Sequence, residues 1–150
     1  MKLRSLLVVV LLVAGCSAAP PPAKAAPCGS SIVTDALPEW ARTGFSDDGA
    51  GVPHVFGRGG DILAVLFGNP LKATPDQGRA NKILWVSRLP AKMGDTLRIT
   101  ATLDGATPET VDRKVDGGPG PSIVDLPKPG CWRLTLKWQD RTDTMDLTYS

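Results

Sequence analysis

The chain has 150 residues, of which 42% are hydrophobic and 21% are charged, and its 17 lysines and arginines nearly balance its 15 aspartates and glutamates. This length corresponds to one domain of ordinary size. The small net charge and the lack of a basic run along the sequence argue against nucleic acid as a partner.

The first 15 residues predict a lipoprotein signal peptide. Lys2 and Arg4 make the start positive, and residues 6–14 form an apolar run that falls short of the roughly 20 residues a membrane span needs. The run leads into a motif that resembles the bacterial lipobox, in which the cysteine receives a diacylglyceryl group before cleavage: Val13-Ala14-Gly15-Cys16. We therefore expect a lipid on Cys16, which places the protein on the extracytoplasmic face of a bacterial cell membrane. The alternative is an ordinary secretory signal in which Cys16 is incidental.

Residues 16–27 predict a tether that starts at the lipidated cysteine. Residues 17–27 contain four prolines and no large apolar side chain, a composition typical of a disordered, extended spacer. At about 3.1 Å per residue, such a spacer reaches on the order of 30 Å from the bilayer. Removal of residues 1–15 takes away two cations and no acid, so the mature chain is formally neutral.

Residues 28–150 predict an all-β domain, because short apolar or alternating segments recur between glycines, prolines and an Asp-Gly turn. These segments are residues 61–67, 82–88, 95–103, 122–126, 132–138 and 145–149, and a seventh falls in 32–36 or 52–56. The last two form a hairpin around a polar turn over 139–143, with one greasy face that carries Trp132, Leu134, Leu136 and Trp138. The pattern predicts an antiparallel β-sandwich of about seven strands.

Helix signals are weak. Thr107-Pro108-Glu109 has the composition of a helix start, and Val111 and Val115 would then share a face. Residues 37–42 predict a single helical turn.

Two cysteines remain in the domain, Cys28 and Cys131. In an exported protein such a pair usually forms a disulfide, and the scattered Cys and His residues lack the spacing of a zinc site. We therefore expect a disulfide, no metal and no cofactor. The side chain of Cys131 should point to the same side of the strand as those of Arg133 and Lys137. The bridge should therefore hold the start of the domain against the outer side or edge of the strand that contains Cys131.

The C-terminal half resembles an uncharacterised family of bacterial exported proteins and lipoproteins. The resemblance lies in a Lys-x-x-Trp strand, a Leu-Asp turn and a Pro-Gly-Cys-Trp strand, here Lys82–Trp85, Leu103-Asp104 and Pro129-Gly130-Cys131-Trp132. It implies an immunoglobulin-like sandwich and brings no assigned activity and no catalytic residues.

The leading hypothesis is a non-enzymatic, membrane-anchored lipoprotein that binds an envelope protein or glycan, with a ligand site that the sequence does not define. One alternative is a carbohydrate-binding module, for which Trp40 is the tryptophan expected to be most exposed. The other is a small secreted hydrolase with His54 as its base, but no nucleophile motif accompanies this histidine. As a lone histidine it is expected at the surface.

Overall fold

The structure is a computed structural model that describes residues 28–75 and 78–150. The predicted signal peptide, the lipidation of Cys16 and the tether lie outside the described residues. Within those residues, no helix is long and apolar enough to cross a membrane.

The domain is built from eight strands in two antiparallel four-stranded sheets. Sheet A has the order β1-β2-β3-β6 and sheet B the order β5-β4-β7-β8. The strands are β1 (His54–Phe56), β2 (Ile62–Leu66), β3 (Lys82–Ser87), β4 (Thr96–Leu103), β5 (Thr110–Asp116), β6 (Pro121–Ile123), β7 (Gly130–Trp138) and β8 (Arg141–Tyr149), and one 3₁₀ turn covers Glu39–Ala41. The chain thus has eight strands where the sequence predicted about seven, and the single turn near residue 40 is confirmed.

The connections are those of an immunoglobulin-like sandwich. The chain passes from sheet A to sheet B between β3 and β4, and again between β6 and β7. Strand β3 pairs with β6, while β4 pairs with β7. This interlocking of two strand pairs is the Greek key of immunoglobulin-like sandwiches, so the predicted fold class is confirmed.

Three tryptophans fill the space between the sheets. Trp85, Trp132 and Trp138 are at most 1% exposed, and burial of such large side chains is a main source of fold stability. Each indole N–H donates a hydrogen bond, because an unpaired donor in the core is costly. The acceptors are Ser122 Oγ at 2.9 Å, the Lys128 carbonyl at 3.0 Å and Ser87 Oγ at 3.0 Å, respectively.

Strand β5 occupies the segment that carries the weak helix signal after Thr107, so the structure has a strand there and no helix. A spacing of four residues puts Val111 and Val115 on one side of either a helix or a strand. Pairing with β4 decides between the two, since it sets Val111 opposite Ala101 and Val115 opposite Leu97 on the inner face.

The β7–β8 hairpin turns over only two residues, Gln139 and Asp140, and Gln139 adopts φ 48°. The polar segment 139–143 was predicted as turn, but β8 already begins at Arg141. Asp143 is 4% exposed inside the strand. Its carboxylate accepts the N–H groups of Gly59 at 2.7 Å and Asp61 at 3.2 Å, so it joins the β1–β2 loop to β8.

The outer edge of β8 is covered in its middle and at its end. The N–H of Arg58 donates to the carbonyl of Thr144 at 2.8 Å. Further along, Leu71 forms a parallel bridge with Tyr149, and Ser150 exchanges hydrogen bonds with residues 71 and 73 at 2.9 and 3.0 Å. Two loops of sheet A therefore occupy part of the backbone groups that an edge strand otherwise offers to another chain.

At the opposite edge of sheet B, the side chain of Arg113 lies along the edge of β5. Its guanidinium donates to the carbonyl of Asp112 and to that of Asp125, each at 2.9 Å. Asp125 belongs to the loop after β6, so one side chain links the edge of sheet B to the end of sheet A.

Residues 28–33, which we call the N-terminal strap, cross the outer side of β7 and β8. A disulfide joins Cys28 to Cys131 with 5.5 Å between their Cα atoms. Ser30 Oγ then accepts the N–H of Asp146 at 2.8 Å, and Val33 pairs with His54 at the edge of β1. The predicted disulfide and its position on the outer side of the strand are confirmed.

Candidate ligand-binding face

The two sheets differ in what covers their outer faces, the faces turned away from the core between them. On sheet A, residues 37–52 lie over Leu63 and Val65, and Leu37 and Ala41 form a second buried cluster with them. On sheet B, the outward side chains of β4, β5 and β7 remain open beyond the strap. This open area is the candidate site.

Three cations form a row across the open face, which we call the basic row. Arg98 in β4 lies directly opposite Lys114 in β5 and directly opposite Lys137 in β7. All three are exposed. Like charges directly opposite each other on neighbouring strands destabilise a sheet, so fold stability does not account for this arrangement.

The carboxylates near the basic row neutralise one end of it. Lys114 lies 3.3 Å from Asp116 on its own strand, while Asp112 accepts a hydrogen bond from the Thr100 hydroxyl at 2.8 Å. Within residues 28–75 and 78–150, neither Arg98 nor Lys137 forms a salt bridge. The positive charge of the row is therefore most available on β4 and β7.

Threonine hydroxyls make up most of the rest of the face. Thr100 lies opposite Thr135, and Thr135 lies opposite Thr144. A shallow depression of about 550 Å³ is lined by Arg98, Thr100, Asp112 and Lys114, among others. A second, of about 290 Å³, lies over Thr102, Arg133 and Thr135 beside the β4–β5 loop. Both depressions border the outer side of β4, so they offer one broad, shallow surface.

A buried carboxylate marks the boundary between this face and the strap. Asp146 is 2% exposed and accepts hydrogen bonds from the Gly29 N–H at 3.0 Å, Arg58 Nη2 at 2.6 Å and Arg133 Nε at 3.1 Å. The hydrogen bond and negative charge of Asp146 raise the pKa of Arg133 above its ordinary value. Arg133 is thus engaged in holding the strap, unlike Arg98 and Lys137.

His54, the predicted base of a hydrolase, lies in β1 and is 1% exposed, so its expected surface position is wrong. Its Nδ1 is 2.9 Å from the carbonyl of Val52, and its ring packs edge-on against Phe56. Nε2 is buried and has no hydrogen-bond partner in the described part of the chain. The structure does not bring a serine hydroxyl or a carboxylate to this histidine among those residues.

Trp40 is the one partly exposed tryptophan, as the sequence predicted. Arg88 lies over its ring, 5.3 Å from the centroid, so part of the surface on which a sugar would stack is already occupied. No group of three His, Cys, Asp or Glu side chains suitable for a metal ion occurs in residues 28–75 and 78–150.

The basic row could not be found by scanning the sequence, since its members are far apart along the chain. The sequence does show that side chains alternate between inward and outward along each strand, and Arg98 and Lys137 fall on predicted outward positions. The register between the strands, which only the folded structure supplies, puts them side by side.

Comparisons with known proteins found no match to a protein-family model, to a curated protein or to a solved structure. The resemblance to a family of exported proteins therefore stays a prediction.

Proposed function

We propose that this chain is a lipid-anchored, non-enzymatic binding module of the bacterial cell envelope, and that it holds its ligand on the outer face of sheet B. The lipobox at Cys16 supports the anchor, and the proline-rich tether supports display away from the bilayer. The observation that carries the binding role is the basic row, an arrangement that costs fold stability on a face that nothing else in the described chain covers.

The position of the strap supports the same function. The disulfide fixes the start of the domain to Cys131, and this cysteine lies on the same side of β7 as Arg133 and Lys137. Cys131 lies at the start of β7 and Lys137 near its end, about 20 Å apart at roughly 3.3 Å per residue, so the point where the tether joins the domain leaves the basic row open to a ligand.

The test is steric, so that it does not depend on the charge of the ligand. Thr100→Tyr with Thr135→Tyr fills the face with residues that suit strands, without changing the charge. The matched control is Thr43→Tyr with Thr34→Tyr, at exposed positions of the N-terminal half. The full chain, purified in detergent, is sedimented with isolated cell-envelope material. We expect retention by the wild type and the control and loss of retention in the face variant, and equal retention of all three would reject the proposal.

A carbohydrate-binding module is the second candidate. Trp85, Trp132 and Trp138 are buried, which leaves Trp40 as the aromatic platform in this hypothesis. Binding of a neutral glycan that is lost in Trp40→Ala would favour the carbohydrate-binding module, because the basic row plays no part in binding a neutral sugar.

A further inference from the structure

We propose that the ligand of the basic row is a linear, phosphate-bearing polymer of the envelope, which lies across β5, β4 and β7. This inference rests on the proposed function and adds the chemical class of the ligand. It is carried by the kind, the order and the spacing of the three cations.

The central cation is an arginine flanked by two lysines, and these are the two cationic side chains with which proteins bind phosphate. A guanidinium presents a planar fork of donors that fits two oxygens of a phosphate or carboxylate at once, whereas a lysine acts as a point charge. Arg98 has no salt bridge in the described chain, so its donors are available to a ligand without the loss of an internal ion pair. Lys137 is available in the same way.

The spacing points to a polymer rather than a single ion. Neighbouring strands are about 4.8 Å apart, so the backbone positions of the row span about 10 Å. One small anion bridges two adjacent cations of the row and does not reach the third. A chain with regularly spaced negative charges neutralises the whole row, and the hydroxyls of Thr100, Thr135 and Thr142 lie beside it for hydrogen bonds.

The composition of the face favours a polymer over the surface of a bilayer. The outward side chains of β4, β5 and β7 are threonines, cations, aspartates and Cys131, and none of them is a large apolar residue. Surfaces that settle into the headgroup region normally add aromatic or leucine side chains to their cations. The aspartates at positions 112 and 116 also weaken attraction to a uniformly charged plane, but a single chain can pass between them and reach Arg98 and Lys137.

The experiment measures binding of the full chain, purified in detergent, to a glycerol-phosphate polymer. The row variant is Arg98→Gln with Lys114→Gln and Lys137→Gln. The control removes the same charge elsewhere, through Arg79→Gln, Lys82→Gln and Lys92→Gln. We expect the row variant to bind roughly tenfold more weakly or worse, the control to bind as the wild type does, and Lys114→Gln alone to have the smallest effect of the three single changes, since Asp116 already pairs with that lysine.

Two further measurements define the ligand class. Arg98→Lys keeps the charge but loses the planar fork, so it should weaken binding to the phosphate polymer. Polygalacturonate, a polymer of carboxylates, should bind more weakly than the phosphate polymer. Equal binding of the two polymers would overturn the phosphate assignment.

Two outcomes would overturn the inference as a whole. One is unchanged binding of the phosphate polymer by the row variant. The other is binding that depends on the row but occurs with phosphatidylglycerol vesicles and not with the polymer, which would make the bilayer the occupant. If Thr100→Tyr with Thr135→Tyr still abolishes retention on envelope material in these cases, the proposed function stands and only the ligand class is wrong.

Discussion

Gly29 and Asp146 are 117 residues apart in the sequence, yet the N–H of Gly29 donates to Asp146 Oδ2 at 3.0 Å. The contact needs glycine, because a Cβ at this position would lie 2.7 Å from the same oxygen. The first residues of the domain are thus fixed to its last strand by a hydrogen bond next to the disulfide.

Asp146→Asn should lower the free energy of unfolding by about 1.5–3 kcal/mol, because a buried charged acceptor of three hydrogen bonds is replaced by a neutral amide. Urea denaturation followed by tryptophan fluorescence measures this change. Asp140→Asn is the matched control, since Asp140 is 87% exposed in the hairpin turn and should change stability by no more than about 0.5 kcal/mol. Equal effects of the two substitutions would show that the Asp146 contacts contribute little.

Replacement of both cysteines, Cys28→Ser with Cys131→Ser, should lower the stability while the two sheets remain folded. The bridge closes a loop of 103 residues, for which the chain-entropy model gives an upper value of about 4–5 kcal/mol. Reductant should move the urea midpoint of the wild type towards that of the double variant. A wild-type midpoint that reductant leaves unchanged, with reduction verified by mass, contradicts this prediction.

Tyr149 should make the protein unstable in alkali. Burial, with a contribution from the carboxylate of Asp125, raises the pKa of Tyr149 above its ordinary value near 10. Because the folded pKa is the higher one, this stabilising contribution is complete below pH 10 and is lost as the pH rises towards the folded pKa, at up to about 1.4 kcal/mol per pH unit.

The measurement is direct, since Tyr149 is the only tyrosine in the chain. Tyrosinate absorbance should appear together with unfolding, not near pH 10 in the folded protein. Tyr149→Phe should remove this part of the pH dependence. It should also cost about 1–3 kcal/mol at neutral pH, because the carbonyl of Val124 loses the hydroxyl that donates to it at 2.7 Å.

Lys137→Thr should raise the stability by about 0.2–1 kcal/mol, since it removes one of two like-charge contacts of Arg98 and places a strand-favouring residue opposite Thr142. The same variant should lose affinity for envelope material. Lys128→Thr, which removes a cation paired with Glu109 at 2.6 Å, should not gain stability. A Lys137→Thr protein that is less stable than the wild type would remove the argument that the basic row exists for binding.

Cys16→Ser should leave the protein unprocessed or released from the membrane. Mass spectrometry of the mature wild-type N-terminus should show a diacylglyceryl-modified Cys16. An unmodified N-terminus at any other residue rules out the lipid anchor.

The sequence predicts those strands in which the alternation of apolar and polar residues identifies the buried face. The alternation from Trp132 to Trp138 predicts β7 and its inward tryptophans, and the parity of Cys131 predicts that the strap crosses the outer side. These conclusions depend only on the period of a strand.

What could not be predicted depends on which strands pair. A four-residue spacing suits both a helix and a strand, so the spacing of Val111 and Val115 does not distinguish strand β5 from a helix. Asp143 lies in the segment predicted as turn and Asp146 at an outward position of the predicted strand, and both are buried because residues 57–61 and the strap pack against β8. His54 was expected at the surface because it is the only histidine and no catalytic motif accompanies it, and the sequence around it does not predict the bridge to Val33. The basic row likewise exists only through the register of three strands.

The covered edges of both sheets bear on how the protein behaves when many copies are crowded on one surface. Exposed edge strands recruit further strands and start aggregation. Here two loops occupy part of the backbone of β8, Arg113 turns across β5, and Pro121 in β6 has no N–H to donate. Copies held side by side therefore have few free backbone groups with which to extend one sheet into the next, and a dense layer of such domains can stay a layer of separate folded molecules.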